Sequence, residues 1–164
     1  MMTTMLNSAI FAPLFNDEEV FNLLSDTALV SALVQVEVAL ARAEASVGVI
    51  PASAADAIGK VTADKIDLAA LATGTLRSGF PIIALVQELR KQVSAVVAPY
   101  IHWGATTQDI MDTASVLQLR AVIELIGKRL GEIVRNLSAL ADKHRATVLA
   151  GRTHSQQALP ITFG

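Results

Sequence analysis

The chain has 164 residues, 52% hydrophobic but only 4% aromatic, with a formal net charge of -2 and no cysteine. It is long enough for a real core, and without a basic excess it is not expected to bind nucleic acid through the phosphate backbone. Missing cysteines exclude disulfides and thiolate metal sites and suit a reducing, cytoplasmic setting, while no apolar run reaches the roughly 18 residues of a membrane span. The first residues, Met1-Met2-Thr3-Thr4-Met5, lack the basic region of a signal peptide.

In chain order, Asn16-Asp17-Glu18-Glu19 puts acids at a helix start, where they complement free N–H groups and the helix dipole. This predicts a short helix to about Leu24. Asp26 is the expected N-cap of a longer helix. Its apolar face is Leu29, Leu33, Val36, Leu40, Ala43 and Val47 at three- and four-residue steps. Glu37 and Glu44 share that helix with Arg42 and read as solvated or packing residues. Gly48 suits the C′ position, and Pro51 follows where the helix ends. Shorter helices are predicted at 52–61, 67–76 and 81–97, the last with Pro81 in its first turn. Gly74 and Gly79 bracket a polar turn, Thr75-Leu76-Arg77-Ser78.

Thr107 or Asp109 then caps a helix predicted to run to about Arg145. Its stripe is Ile110, Ala114, Leu117, Ala121, Leu125, Ile133, Leu137 and Ala141. A helix of that length, about 50–55 Å, belongs in a bundle or a coiled-coil-like assembly. A hairpin broken near Gly127 is the alternative. After Ala146 the helical period is lost, and Gly151, Pro160 and Gly164 punctuate what reads as a loop. An apolar chain ending so is expected to be a fragment of a longer one, or to rely on partner subunits. The fold class expected is all-α, with an N-terminal helical domain at 1–100 leading into the first long helix of a central bundle at 101–164.

Two polar clusters stand out. Gly151-Arg152-Thr153-His154-Ser155-Gln156-Gln157 combines an imidazole, suited to proton transfer near neutral pH, with an arginine that can fork onto a carboxylate. The plainer alternative is a turn whose hydroxyls satisfy the backbone. His102-Trp103-Gly104-Ala105-Thr106-Thr107-Gln108-Asp109 is a loop feeding a helix N-terminus, a ready anion site, although Thr107 and Asp109 also suit capping. Arg77, beside Ser78, is a weaker carboxylate-binding candidate. His144, near the end of the long helix, reads as structural. No metal-ligand spacing or nucleotide-binding loop is present. If the long helix is unbroken, His102 and His154 lie at opposite ends of it. One active site would then need an antiparallel helix from a second copy.

These residues resemble the motifs of the fumarase/aspartase superfamily, which includes adenylosuccinate and argininosuccinate lyases. His102-x-Gly104-x-Thr106-Thr107-x-Asp109 is similar to its first motif, with Thr107 where Ser is usual. Gly151-Arg152-Thr153-His154-x-Gln156-x-Ala158-x-Pro160-x-Thr162-x-Gly164 is similar to its second. The branch resembled is the bacterial 3-carboxy-cis,cis-muconate cycloisomerases, through Leu14-Phe15-Asn16-Asp17, Glu37-Val38-Ala39-Leu40-Ala41-Arg42-Ala43-Glu44-Ala45 and Gly79-Phe80-Pro81. Adenylosuccinate lyases share part of that stretch.

The resemblance implies that a small polycarboxylate is cyclised by intramolecular addition. It makes His154 and His102 the catalytic candidates. Arg77, Ser78, Thr106, Thr107, Gln108, Arg152, Thr153 and Gln156 become substrate-binding candidates. It implies a homotetramer with shared sites and no metal or organic cofactor. The superfamily's third motif, a Ser-rich loop, comes later than these residues, so the isolated chain is expected to be inactive. An adenylosuccinate lyase-like β-elimination enzyme and a non-catalytic helical assembly fragment are the alternatives.

Overall fold

The computed structural model describes residues 10–164, so the reading of Met1–Met5 lies outside it. It is all-α apart from one small hairpin. Contacts divide the chain into two compact units, one ending at Val122 and one spanning Ile123–Gly164.

In the first unit α1 (Ala12–Phe15) and α2 (Glu18–Leu23) precede α3 (Asp26–Ser46). Asp17 caps α2, accepting the Val20 N–H at 3.1 Å. Ser25 rather than Asp26 caps α3: its Oγ accepts the Ala28 N–H at 3.3 Å, and Asp26 becomes the first helical residue. Gly48 ends the helix with φ 78°, a left-handed conformation that glycine adopts without the Cβ clash.

The buried face of α3 carries Val30, Leu33, Val34 and Ala41. Around it pack α4 (Ala52–Ile58), α5 (Leu68–Ser78) and α6 (Ile82–Lys91). Leu33, Ile58, Ile82, Leu85, Leu89, Ile101 and Ile110 are almost fully enclosed. Each aliphatic side chain removed from water this way contributes about 1.5–3 kcal/mol before entropy is counted.

Three boundaries differ from the sequence reading. Helix α4 stops at Ile58, before Val61. The presumed polar turn 75–78 is the last turn of α5, and the chain reverses only at Gly79, φ 80°. Helix α6 ends at Lys91, not Val97. There the Gln92 amide clips the Thr62 backbone, donating to its carbonyl and accepting its N–H at 3.0 Å each. That long-range pairing competes with continuing the helix and has no local sequence signature.

Helix α7 spans Thr107–Lys143, 37 residues, about 55 Å at 1.5 Å per residue. It continues through Gly127 and Gly131, so the broken-hairpin alternative does not hold. Two glycines at about 1 kcal/mol each do not outweigh an otherwise good helical sequence. Its first half contributes Ile110, Ala114 and Val122 to buried positions.

In the second unit the helix is bare. Ile123, Ile126, Leu130, Ile133, Leu137 and Leu140 are all 43–66% exposed. They alternate at three and four residues, the spacing of a coiled-coil seam. The chain then forms β1 (Val148–Thr153) and β2 (Gln156–Thr162), an antiparallel hairpin with Val148 opposite Thr162 and Thr153 opposite Gln156. The expected loop after Ala146 is thus a hairpin. Gly151 and Pro160 inside the strands argue against strand by propensity, and His154-Ser155 is not a typical two-residue turn pair. No helix of the described residues is long and apolar enough to cross a membrane.

Candidate functional site

Apart from Arg77 and Ser78, the sequence-predicted residues fall into two groups, one in each unit. In the first, a single 3-10 turn at Ala98–Tyr100 leads into the loop before α7. Ile101, 2% exposed, anchors this loop in the core. His102 and Gly104 then both take left-handed conformations, φ 61° and 67°. For a non-glycine residue that costs about 1–2 kcal/mol, so something must hold His102 there.

Glu37 holds it. Its Oε1 lies 2.7 Å from His102 Nδ1, with the carboxylate side chain 0% and the imidazole 17% exposed. Of the two options in the sequence reading, solvated or packing, Glu37 is therefore not solvated but buried on the core face. The signal was present: positions 30, 33, 34, 37 and 41 lie on one helical face, and four of them are buried aliphatics. An acid on a core face requires a partner. Glu44, two turns later, also buries one carboxylate oxygen. Neither Glu37 Oε2 nor Glu44 Oε2 has a hydrogen-bond partner in the structure. Burial pushes the Glu37 carboxyl up, the charge and hydrogen bond of His102 pull it down, Glu44 pushes it up again, and the net direction is upward.

Past the loop, the Thr106 N–H donates to Asp109 Oδ2 at 2.9 Å, the acid half of a capping box, and the Asp109 N–H donates to the Thr106 backbone carbonyl at 3.1 Å. Asp109 is thereby committed to capping. Gln108 Nε2 donates to Asp112 Oδ1 at 2.5 Å. The first turn of α7 offers N–H groups at the positive end of a long helix. His102 and Thr107 line one groove of about 190 Å³ with Gln87 and Arg90. The Arg90 Nε donates to the Ala98 carbonyl at 3.1 Å.

Arg77 and Ser78 lie elsewhere on this unit. Ser78 Oγ is within 2.9 Å of the Gly74 carbonyl and 2.8 Å of the Phe80 carbonyl, so its hydroxyl serves the end of α5. Arg77 is exposed and lines a different cavity, with Thr73, Gly74 and Glu88. Among the described residues no three His, Asp or Glu side chains gather as metal ligands.

The second group sits at the tip of the hairpin. His154 and Ser155 form its turn, with Ser155 at φ 61°. Thr153 and Gln156 face each other as the last pair, and Arg152 pairs with Gln157. Thr153 Oγ1 reaches the Gln156 carbonyl at 3.4 Å. All four candidates, Arg152, Thr153, His154 and Gln156, are exposed. Gly151 is buried at the irregularity between the strands, where a Cβ would stand 2.8 Å from the Leu159 carbonyl oxygen. The hairpin thus needs glycine there for close backbone approach.

Comparison with known proteins gives these two groups a context. The profile of a family described as lyase matches residues 13–164. The 3-carboxy-cis,cis-muconate cycloisomerase of Acinetobacter baylyi is 45% identical over 96% of this chain and 36% of its own length. The crystal structure of beta-carboxy-cis,cis-muconate cycloisomerase from Acinetobacter calcoaceticus superposes with a TM-score of 0.88 at 44% identity, covering 94% of this chain and 37% of that one. A fumarate lyase from Mesorhizobium superposes with a TM-score of 0.82, also at 44% identity, over 91% of this chain and 35% of that one. The chain therefore spans little more than a third of the relatives it matches. It belongs to the lyase family, with the fumarase/aspartase fold.

Proposed function

We propose that the protein carrying this sequence is a 3-carboxy-cis,cis-muconate cycloisomerase. One substrate carboxylate adds to the conjugated double bond within the same molecule. A C–O bond forms, the π bond is consumed, and a proton is delivered to the neighbouring carbon, giving 4-carboxymuconolactone. No electrons are exchanged with an outside reagent. The observation that carries the reading is the 45% identity to a protein of that name along nearly the whole chain.

Negative charge builds on the carboxylate conjugated to the protonated carbon, so donors aimed there lower the barrier most. In this reading Arg152, Thr153 and Gln156 bind substrate carboxylates, and His154 assists proton transfer or stabilises the anion. The Thr106–Gln108 turn supplies anion-binding N–H groups, with His102 beside it.

We further propose a homotetramer whose sites combine motifs from different copies. Its support is the unbroken 37-residue helix between the motifs and the exposed seam along its second half. The test of the catalytic assignment is His154→Ala in the native protein. The kcat is expected to fall by about 10²–10³, the loss typical of one charge-stabilising donor, with helical content unchanged. A near-wild-type rate sinks the role given to His154.

A second reading rests on the fumarate lyase structure at the same 44% identity, which favours β-elimination of the adenylosuccinate lyase kind. Assaying 3-carboxymuconate and adenylosuccinate side by side separates the two.

A further inference from the structure

His102 is held more firmly than a loop that merely offers N–H groups to an anion requires. It occupies a strained left-handed conformation, φ 61°. Its Nδ1 is spent 2.7 Å from the carboxylate of a side chain with no solvent exposure. A leucine at position 37 would fill the core face of α3 without burying a charge, and replacing buried ion pairs by apolar groups is often neutral or stabilising. The pair is costly to the fold, which points to a use for it.

We infer that Glu37 is a positioning residue, locking His102 as the Nδ1–H tautomer and leaving Nε2 as the atom presented to the groove with Thr107 and Arg90. An ionised carboxylate can only accept hydrogen bonds, so the nitrogen facing it must carry the hydrogen. In the neutral ring the remaining lone pair is then on Nε2. No hydrogen bond to Nε2 is formed among the described residues. When Nε2 takes a proton, the imidazolium is balanced by Glu37 and donates to an anionic oxygen in the groove. The chemistry recognised is a carboxylate oxygen, which rests on the reading of this loop as part of a polycarboxylate site. The charged groups around the ring are Glu37 and Glu44 from α3 and Arg90 from α6, which lines the same groove.

The protein has three histidines, so long-range 1H–15N spectra of the 15N-histidine-labelled chain resolve each ring. His102 is assigned by the loss of its signals in His102→Gln. In the neutral ring, His102 is expected as Nδ1–H with an unprotonated Nε2. Glu37→Gln, whose amide can either accept from or donate to Nδ1, should mix the two tautomers. Glu37→Asp should restore the Nδ1–H form. The tautomers of His144 and His154 should be unchanged.

An Nε2–H tautomer in the wild type would mean that Glu37 is the proton donor and overturns the proposal. So does an unchanged, purely Nδ1–H tautomer of His102 in folded Glu37→Gln. If Glu37→Gln does not fold, the wild-type spectrum decides alone. Absence of 3-carboxymuconate turnover by the native protein, alongside an intact Nδ1–H signal, removes the substrate reading and leaves the positioning role standing.

Discussion

The exposed seam on the second half of α7 offers the sharpest test of assembly. Ile133 and Leu137 are 52% and 60% exposed, and full burial of such a side chain is worth about 1.5–3 kcal/mol. With half of that still available, each contributes about 0.8–1.5 kcal/mol on association, or about 3–6 kcal/mol when both residues are buried in two copies. The double variant Ile133→Asp/Leu137→Asp forfeits this and adds the cost of desolvating carboxylates. At about 1.4 kcal/mol per decade, the dissociation constant should rise by at least about 10²-fold. Each chain's own fold should change little, because exposed substitutions typically stay within about 0.5 kcal/mol. Light scattering after size exclusion at micromolar protein reads the mass, and circular dichroism reads the helix. A monomeric wild type, or a double variant of unchanged mass, refutes the assembly proposal.

Three further outcomes follow from local geometry. Alanine in place of a helical glycine usually stabilises by about 1 kcal/mol; Gly127→Ala, with nothing within 4 Å of the added Cβ, should do so in the chain's thermal melt. Gly74→Ala should do the opposite, by about 1–3 kcal/mol, because its Cβ would strike Ala84 Cβ where α5 packs on α6; a rise in melting temperature there would contradict that packing. Gly151→Ala should displace the hairpin, read as shifted amide resonances in both strands and lost turnover of the native protein, since the Cβ meets the Leu159 carbonyl oxygen at 2.8 Å.

The pH dependence of stability tests Glu44. Burial raises its carboxyl, against the attraction of His102. A raised carboxyl favours the folded state when protonated. Its stabilisation is present below the ordinary carboxylate range and is lost as pH rises through the raised value. Glu44→Gln removes that loss. The variant should melt higher than wild type at pH 8, with the gap closing toward pH 4. A gap independent of pH would show that desolvation of Glu44 is not its source.

Sequence by itself determined the helical architecture, the length of α7 and the two polar motifs. Helix periodicity, caps such as Asp17 and stops such as Gly48 act within a few residues, so local order suffices to read them. The residues grouped around each motif were legible for the same reason: Thr106 to Asp109 and Arg152 to Gln156 are contiguous.

What only the tertiary structure decided was long-range. The Glu37–His102 pair joins residues 65 apart in sequence, and whether an acid on an apolar face is paired depends on which loop passes over it. The Gln92–Thr62 clip that ends α6 bridges 30 residues. The hairpin at Val148–Thr162 overrode the strand-breaking character of Gly151 and Pro160, because the close approach at Leu159 leaves room only for glycine. Local chemistry wrote the elements; the partners of buried charges were settled only when the core brought distant segments together.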